Sequence, residues 1–236
     1  TAVVWDFERA RKELALAGQS AHGWDVKCAR WHPHMALIAT GSRDNFIKLW
    51  DPKRGGDCLN TLHAHKNEVT GVAWNPSNGH WLASCSKDHT VRVYDIRTMR
   101  ELQTFRGHPR EVTSVAWHPK HEPLLASGGY DGSILHWQMG DPTPQAHIRQ
   151  AHELAIWCIA FHPTGNVLAS SSQDSMLKFW CRNRPGDGRK REREEGDEAF
   201  DDELEMRMLS LAQLASQQGG QQGVHSAPPD TLSTPF

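Results

Sequence analysis

The sequence predicts an all-β protein made by repeating one four-stranded unit. Three observations lead there. A histidine recurs at His22, His65, His108 and His152, in steps of 43, 43 and 44 residues. Each is followed by a strand-like apolar run closing on an aromatic, Trp31, Trp74, Trp117 and Phe161, at the same steps; apolar alternation is the mark of a strand with one buried face. A turn aspartate (Asp44, Asp88, Asp131, Asp174) and a terminal aromatic (Trp50, Tyr94, Trp137, Trp180) then recur in steps of 44, 43 and 43. Self-similarity at such a period marks a repeat architecture.

The clearest copy runs from Gly107 to Gln138. Gly107-His108 opens it, a strand follows through Val112, Val115 and Trp117, and His118-Pro119 makes a turn. A small-residue strand, Leu125 to Gly129, leads into Asp131-Gly132, and a last strand ends at Trp137. The His/Asn-Pro turn recurs at His32-Pro33, Asn75-Pro76 and His162-Pro163.

In chain order, Thr1 to Asp6 reads as the third strand of a unit, with Glu13 to Ala17 as its outer strand. Complete units follow at Trp24–Leu62, Val69–Phe105 and Val112–Arg149, and Ala155 to Cys181 supplies three strands of another. The repeat domain is therefore expected over 1–181. A charged linker is expected at 182–197, with a basic cluster of Arg182, Arg184, Arg189, Lys190, Arg191 and Arg193. Its functional reading is a nuclear-localisation or RNA-phosphate patch, its plain reading a solvated linker. An amphipathic helix is expected at 198–216, where Phe200, Leu204, Met208, Leu211 and Ala215 fall three or four apart. A Gln/Gly/Ser/Pro-rich tail, expected to be disordered, ends the chain at 217–236.

Composition narrows the function. A net charge of -2 excludes a chain that binds nucleic acid by bulk electrostatics, although a local basic patch remains open. Five cysteines without CxxC spacing predict reduced, buried, inert thiols of an intracellular protein. No apolar run approaches the roughly 20 residues of a membrane span, so no membrane partner is expected. Ser, His and Asp recurring together invite comparison with a hydrolase triad, but a catalytic set needs one special, accessible copy and this one occurs four times. No catalytic residue is expected. The pairs His32/His34 and His63/His65 have no cysteine in phase, so neither a metal nor any other cofactor is expected.

The period, the Gly/Ala-His start and the Trp-Asp end resemble the WD repeat, a four-stranded blade of a β-propeller. Trp5-Asp6 and Trp50-Asp51 carry the literal dipeptide; Tyr94-Asp95 softens it; Trp137-Gln138 and Trp180-Cys181 keep only the aromatic. The resemblance implies a hydrogen-bonded chain inside each blade, from His through a Ser/Thr to the terminal aromatic, with Asp holding the imidazole. The matching sets are His22, Thr40, Asp44, Trp50; His65, Ser84, Asp88, Tyr94; His108, Ser127, Asp131, Trp137; and His152, Ser170, Asp174, Trp180. Tyr94 offers an O–H where the others offer an N–H.

Three stretches go beyond the generic repeat: Ile47–Pro76, Ser86–Trp137 and Ser170–Asp187, ending in KFWCRNRPGD. They resemble the WD-repeat subunits of the nuclear cleavage and polyadenylation factor. That resemblance implies a seven-bladed propeller acting as a non-enzymatic scaffold in pre-mRNA 3′-end processing, in the nucleus. Its implied partners are the zinc-finger subunit, the large scaffold subunit and the endonuclease. Contacts to pre-mRNA are implied mainly for a region before the part present here. Four full or nearly full blades plus part of another would then make an N-terminally incomplete ring; the alternative is a small closed ring of four or five blades. A competing function is a substrate receptor of a cullin-type ubiquitin ligase, because Tyr94-Asp95-Ile96-Arg97 approximates the Trp-Asp-x-Arg element of such propellers; another is a generic protein-interaction propeller.

The residue before each turn aspartate is expected on the rim where blade loops gather. These are Arg43, Lys87, Tyr130 and Gln173, a set with two cations and an aromatic suited to phosphate contact and stacking.

Overall fold

The computed structural model describes residues 2–17 and 21–181. The basic cluster, the helix-period stretch and the tail lie outside the described residues. The architecture is a series of antiparallel sheets. Strands β1 (Ala2–Asp6) and β2 (Arg11–Leu16) pair first. A four-stranded first blade follows, from β3 (Val26–Trp31), β4 (Ile38–Ser42), β5 (Phe46–Trp50) and β6 (Cys58–His63). The second blade is β7 (Val69–Trp74), β8 (Trp81–Ser86), β9 (Thr90–Asp95) and β10 (Arg100–Arg106). The third is β11 (Val112–Trp117), β12 (Leu124–Gly129), β13 (Ile134–Gln138) and the short β14 (Ala146–Ile148). The fourth has three strands, β15 (Ile156–Phe161), β16 (Val167–Ser172) and β17 (Leu177–Cys181). In each sheet the strands lie side by side in chain order. A 3₁₀ turn at Pro52–Arg54, capped by the Asp51 carboxylate, is the one helical element among the described residues.

Local chemistry repeats with the sequence. The turn between second and third strands needs a left-handed residue just after the aspartate, with φ of 72° at Asn45, 66° at His89, 77° at Gly132 and 65° at Ser175. Each first strand carries a register shift near its start, as between Val26 and Cys28 or Val112 and Ser114; such bulges sharpen the twist of a blade.

The core lies between sheets rather than within one. Ile47, Leu49, Val69, Val72 and Leu82 join the first and second blades; Val91, Val93, Phe105, Val112, Leu125 and Leu135 join the second and third. Ala126, Ile134, Ile156 and Ile159 join the third and fourth. Backbone approach is tight at these joints: a Cβ on Gly128 would meet Ile156 Cγ2 at 2.8 Å. Indoles add directional bonds, since Trp74 Nε1 donates to the Arg30 carbonyl at 3.0 Å and Trp117 Nε1 to the Ala73 carbonyl at 3.1 Å.

What a neighbouring blade contributes is visible from one position. Ile47, Val91 and Ile134 are each 0% exposed, whereas Leu177, the same position in the fourth blade, is 59% exposed. Fully burying such a side chain is worth about 1.5–3 kcal/mol. A closed ring of four or five blades would cover both end faces; instead Leu177 and Phe179 at one end and Val3 and Trp5 at the other are exposed, which corrects that alternative.

Candidate functional site

The first blade shows the polar chain in full. Trp50 Nε1 donates to Thr40 Oγ1 at 2.8 Å, His22 Nε2 lies 2.7 Å from the same oxygen, and His22 Nδ1 lies 2.7 Å from Asp44 Oδ2. One tautomer satisfies every atom: Nδ1–H donates to the carboxylate and Nε2 accepts the hydroxyl proton. The Gly23 and Phe46 amides also donate to Asp44, at 3.2 and 3.1 Å, and Ser42 Oγ accepts the Asp44 amide at 3.2 Å. Burial pulls the His22 imidazole below 6.5 even with Asp44 beside it. Burial works to raise the Asp44 carboxyl, but the His22, Phe46 and Gly23 donors together hold it below its ordinary value.

The fourth blade repeats this geometry. His152 lies 2.8 Å from Asp174 and 2.7 Å from Ser170, and Trp180 Nε1 donates to Ser170 at 2.8 Å. The second blade departs. His65 reaches Asp88 at 2.9 Å and Ser84 at 2.8 Å, but Tyr94 is not in the chain: its hydroxyl donates to the Ala64 carbonyl at 2.7 Å. A phenol carries its O–H at the far tip of the ring, beyond the place of an indole N–H, and so passes the serine. This corrects the placement of Tyr94.

In the third blade His108 Nε2 and Ser127 Oγ are 2.6 Å apart and Trp137 Nε1 donates to Ser127 at 2.8 Å, but Asp131 Oδ1 stands 3.8 Å from His108 Nδ1. That oxygen is buried without a hydrogen-bond partner. Burial raises and His108 and Ser133 lower the Asp131 carboxyl, which settles at about 2. In all four blades the hydroxyl residue (Thr40, Ser84, Ser127, Ser170) is at most 1% exposed, beyond the reach of a substrate.

The rim residues occupy equivalent places. The amides of Arg43, Lys87, Tyr130 and Gln173 donate to the carbonyls of Asp25, Glu68, Glu111 and Ala155 at 2.8 to 3.1 Å. Their side chains differ. Arg43 sits over the Trp24 ring at 5.2 Å, and the Arg110 guanidinium sits 4.6 Å over Tyr130. Trp157, 55% exposed, meets Tyr130 edge-on at 6.4 Å. Lys87 is not a free cation, because its Nζ pairs with Glu68 at 2.9 Å, as Lys27 does at 3.4 Å. Gln173 is exposed. Trp24, Arg110 and Trp157 escaped the sequence reading, although Trp157 stands where other copies carry Lys27, Thr70 and Thr113, an aromatic in a polar register.

The cysteines divide. Burial pushes the Cys28 thiol up to about 11 and that of Cys85 up to about 12. Cys158 and Cys181 are exposed on the open last sheet, which corrects the expectation that all five are buried. Arg97 forms a two-pronged pair with Asp95, at 3.2 and 2.9 Å. Among the described residues no group of three or more His, Cys, Asp or Glu side chains gathers as a metal site.

Repeated antiparallel blades, each with a buried histidine–hydroxyl contact and packed face to face, define a β-propeller repeat protein. The chain belongs to the WD domain, G-beta repeat family, whose model matches residues 15–51, 56–95, 99–138 and 143–181. Among curated relatives, it is 41% identical over 215 residues to Polyadenylation factor subunit 2 of Neurospora crassa, covering 79% of this chain and 32% of the relative. It is 39% identical over 210 residues to the protein of the same name from Gibberella zeae, covering 78% and 34%. Periodic tryptophan protein 2 of Arabidopsis thaliana is 32% identical over 180 residues, 75% of this chain and 19% of that one. The chain thus spans about a third of the length of the first two.

Proposed function

We propose that this chain is a non-enzymatic interaction scaffold in mRNA 3′-end processing, working in the nucleus. The observation that carries the reading is the 41% identity over most of the chain to a protein named as a polyadenylation factor subunit. The polar sets are interior staples: each buries a hydroxyl between an imidazole and, in three blades, an indole, leaving the loops free for partners. The contact surface is the rim of Arg43, Lys87, Tyr130 and Gln173, enlarged by Trp24, Arg110 and Trp157; aromatics and arginine are the residues that anchor interfaces. Its partners are the zinc-finger, large scaffold and endonuclease subunits of the complex.

Affinity purification of the tagged chain from nuclear extract, with mass spectrometry, tests this. Recovery of those subunits, reduced by Trp157→Ala with Arg110→Ala, is the expected result. Recovery of a cullin adaptor, lost with Arg97→Ala, would replace the reading.

A further inference from the structure

The His/Asn-Pro turns also tie each blade to the next. His32 Nε2 lies 2.7 Å from the Gly79 carbonyl of the second blade, and His118 Nε2 lies 3.1 Å from the Gly165 carbonyl of the fourth. Asn75 Nδ2 donates to the Glu122 carbonyl of the third blade at 2.8 Å. In all three the acceptor lies 47 residues further along the chain.

The other polar atom of each side chain caps its own turn. His32 Nδ1 accepts the His34 and Met35 amides, both at 3.0 Å. Asn75 Oδ1 accepts the Ser77 and Asn78 amides at 3.0 and 2.9 Å, and His118 Nδ1 accepts those of Lys120 and His121 at 3.1 and 2.9 Å. Asn75 is an amide version of the imidazole device, with Oδ1 in the role of Nδ1 and Nδ2 in the role of Nε2.

The two chemistries differ in one respect. An imidazole makes all three bonds only when neutral with its proton on Nε2. A second proton, on Nδ1, turns the acceptor into a donor facing two backbone N–H groups, which then lose their partner inside the turn. An asparagine amide gains no proton in this pH range. We propose that acid opens the caps inside the His32 and His118 turns, which carry the bonds from the first blade to the second and from the third to the fourth, leaving those Nε2–H bonds themselves in place, while the Asn75 turn stays closed.

The surroundings favour the neutral form. Against His32 stand His34 of its own turn, His80 of the second blade and the Trp74 ring at 4.7 Å. Against His118 stand Lys120 and His121 of its own turn, His136 of β13 and the Phe161 ring at 5.1 Å. Burial lowers both imidazoles below 6.5; the neighbouring cationic and imidazole groups act the same way, and the Gly79 and Gly165 carbonyls act against it. Between 6.5 and the lower folded value the unfolded chain holds more protons. Stability is therefore full above 6.5 and falls as the pH drops through that window.

Amide hydrogen exchange of the whole chain at pH 7 and pH 5, corrected for intrinsic rates, tests the proposal. Protection at His34, Met35, Lys120 and His121 is expected to fall about tenfold further than at Ser77 and Asn78, the factor one imidazole supplies per pH unit. His32→Asn and His118→Asn should each make their own turn acid-resistant. Asn75→His, a separate arm should those variants fail to fold, should import the acid loss to Ser77 and Asn78. Equal loss at all three turns, or an Asn75→His chain whose Ser77 and Asn78 amides behave as before, would overturn the proposal.

Discussion

The first and third blades carry the same kind of set, a histidine, a hydroxyl residue, an aspartate and a tryptophan, with the hydroxyl 18 residues after the histidine in the first and 19 in the third, yet only the first closes its polar chain. Asp44 collects three donors, from His22, Gly23 and Phe46. Asp131 lacks two of the supports that hold such an aspartate elsewhere. The residue after the histidine is Gly23, Lys66 or Glu153 in the other blades, and each gives its amide to the aspartate at 3.1 to 3.2 Å. In the third blade it is Pro109, which has no N–H. The serine that accepts the aspartate amide, Ser42, Ser86 or Ser172, is there replaced by Gly129. Asp131 turns instead to Ser133 Oγ at 2.7 Å. A motif therefore needs its flanking backbone donors as much as its named side chains.

The largest effect should come from the shared hydroxyl. Ser127→Ala strands two buried groups, the His108 ring nitrogen and the Trp137 N–H, and should cost about 2–4 kcal/mol by urea unfolding. Ser84→Ala strands only His65, since Tyr94 bonds elsewhere, and should cost about half as much. Equal losses would break the contrast between the second blade and the rest.

Next come the aspartates. Asp44→Asn should cost about 1.5–3 kcal/mol by removing a charge-assisted acceptor from three donors, and Asp131→Asn about 1–2 kcal/mol, because its carboxylate keeps the Ser133 donor and the nearby His108 but lacks the two backbone supports. Both carboxyls titrate below the ordinary value in the folded chain, so their stabilisation is present above about pH 4 and lost as pH falls, for Asp131 toward about 2. Acid titration of each variant against the parent should show the parent losing its advantage in that window.

A repair experiment sharpens the comparison. Pro109→Glu with Gly129→Ser returns both missing supports. A Cβ at position 129 would meet both Asp131 Oδ1 and, at 2.7 Å, His108 Nδ1 where they now lie, so the repair requires the carboxylate and the imidazole to shift together into the first-blade arrangement. A gain of about 1 kcal/mol in thermal or urea unfolding is expected; a loss would mean the third blade is adapted to its open geometry. The smallest effect concerns the turns, where His89→Gly at φ 66° should stabilise by about 0.5–1 kcal/mol. Asn45→Gly should do less, because asparagine accepts the left-handed region.

The blade plan was legible because its signal is periodic: His, Asp and the terminal aromatic recur at near-constant steps, and the strands fall where alternation and turns put them. The departures were not, because they depend on reach and on backbone donors. Nothing in the spacing says that the Tyr94 oxygen overshoots Ser84, or that a proline beside His108 deprives Asp131. The His/Asn-Pro turns read as simple reversals, although the interchange of His and Asn at one phase is itself a clue: these residues share one acceptor and one donor on a rigid planar group. Burial of the thiols was over-read because Cys158 and Cys181 lie on a face that no further blade covers among the described residues.

The contrast between the first and third blades is tested most directly by proton NMR of the imidazole N–H groups in uniformly ¹⁵N-labelled chain at pH 7. Slowly exchanging, strongly downfield Nδ1 protons are expected for His22, His65 and His152, each held within 2.7 to 2.9 Å of a carboxylate, and none for His108. Four equivalent signals, or a His108 proton as protected as the other three, would contradict the broken chain at Asp131.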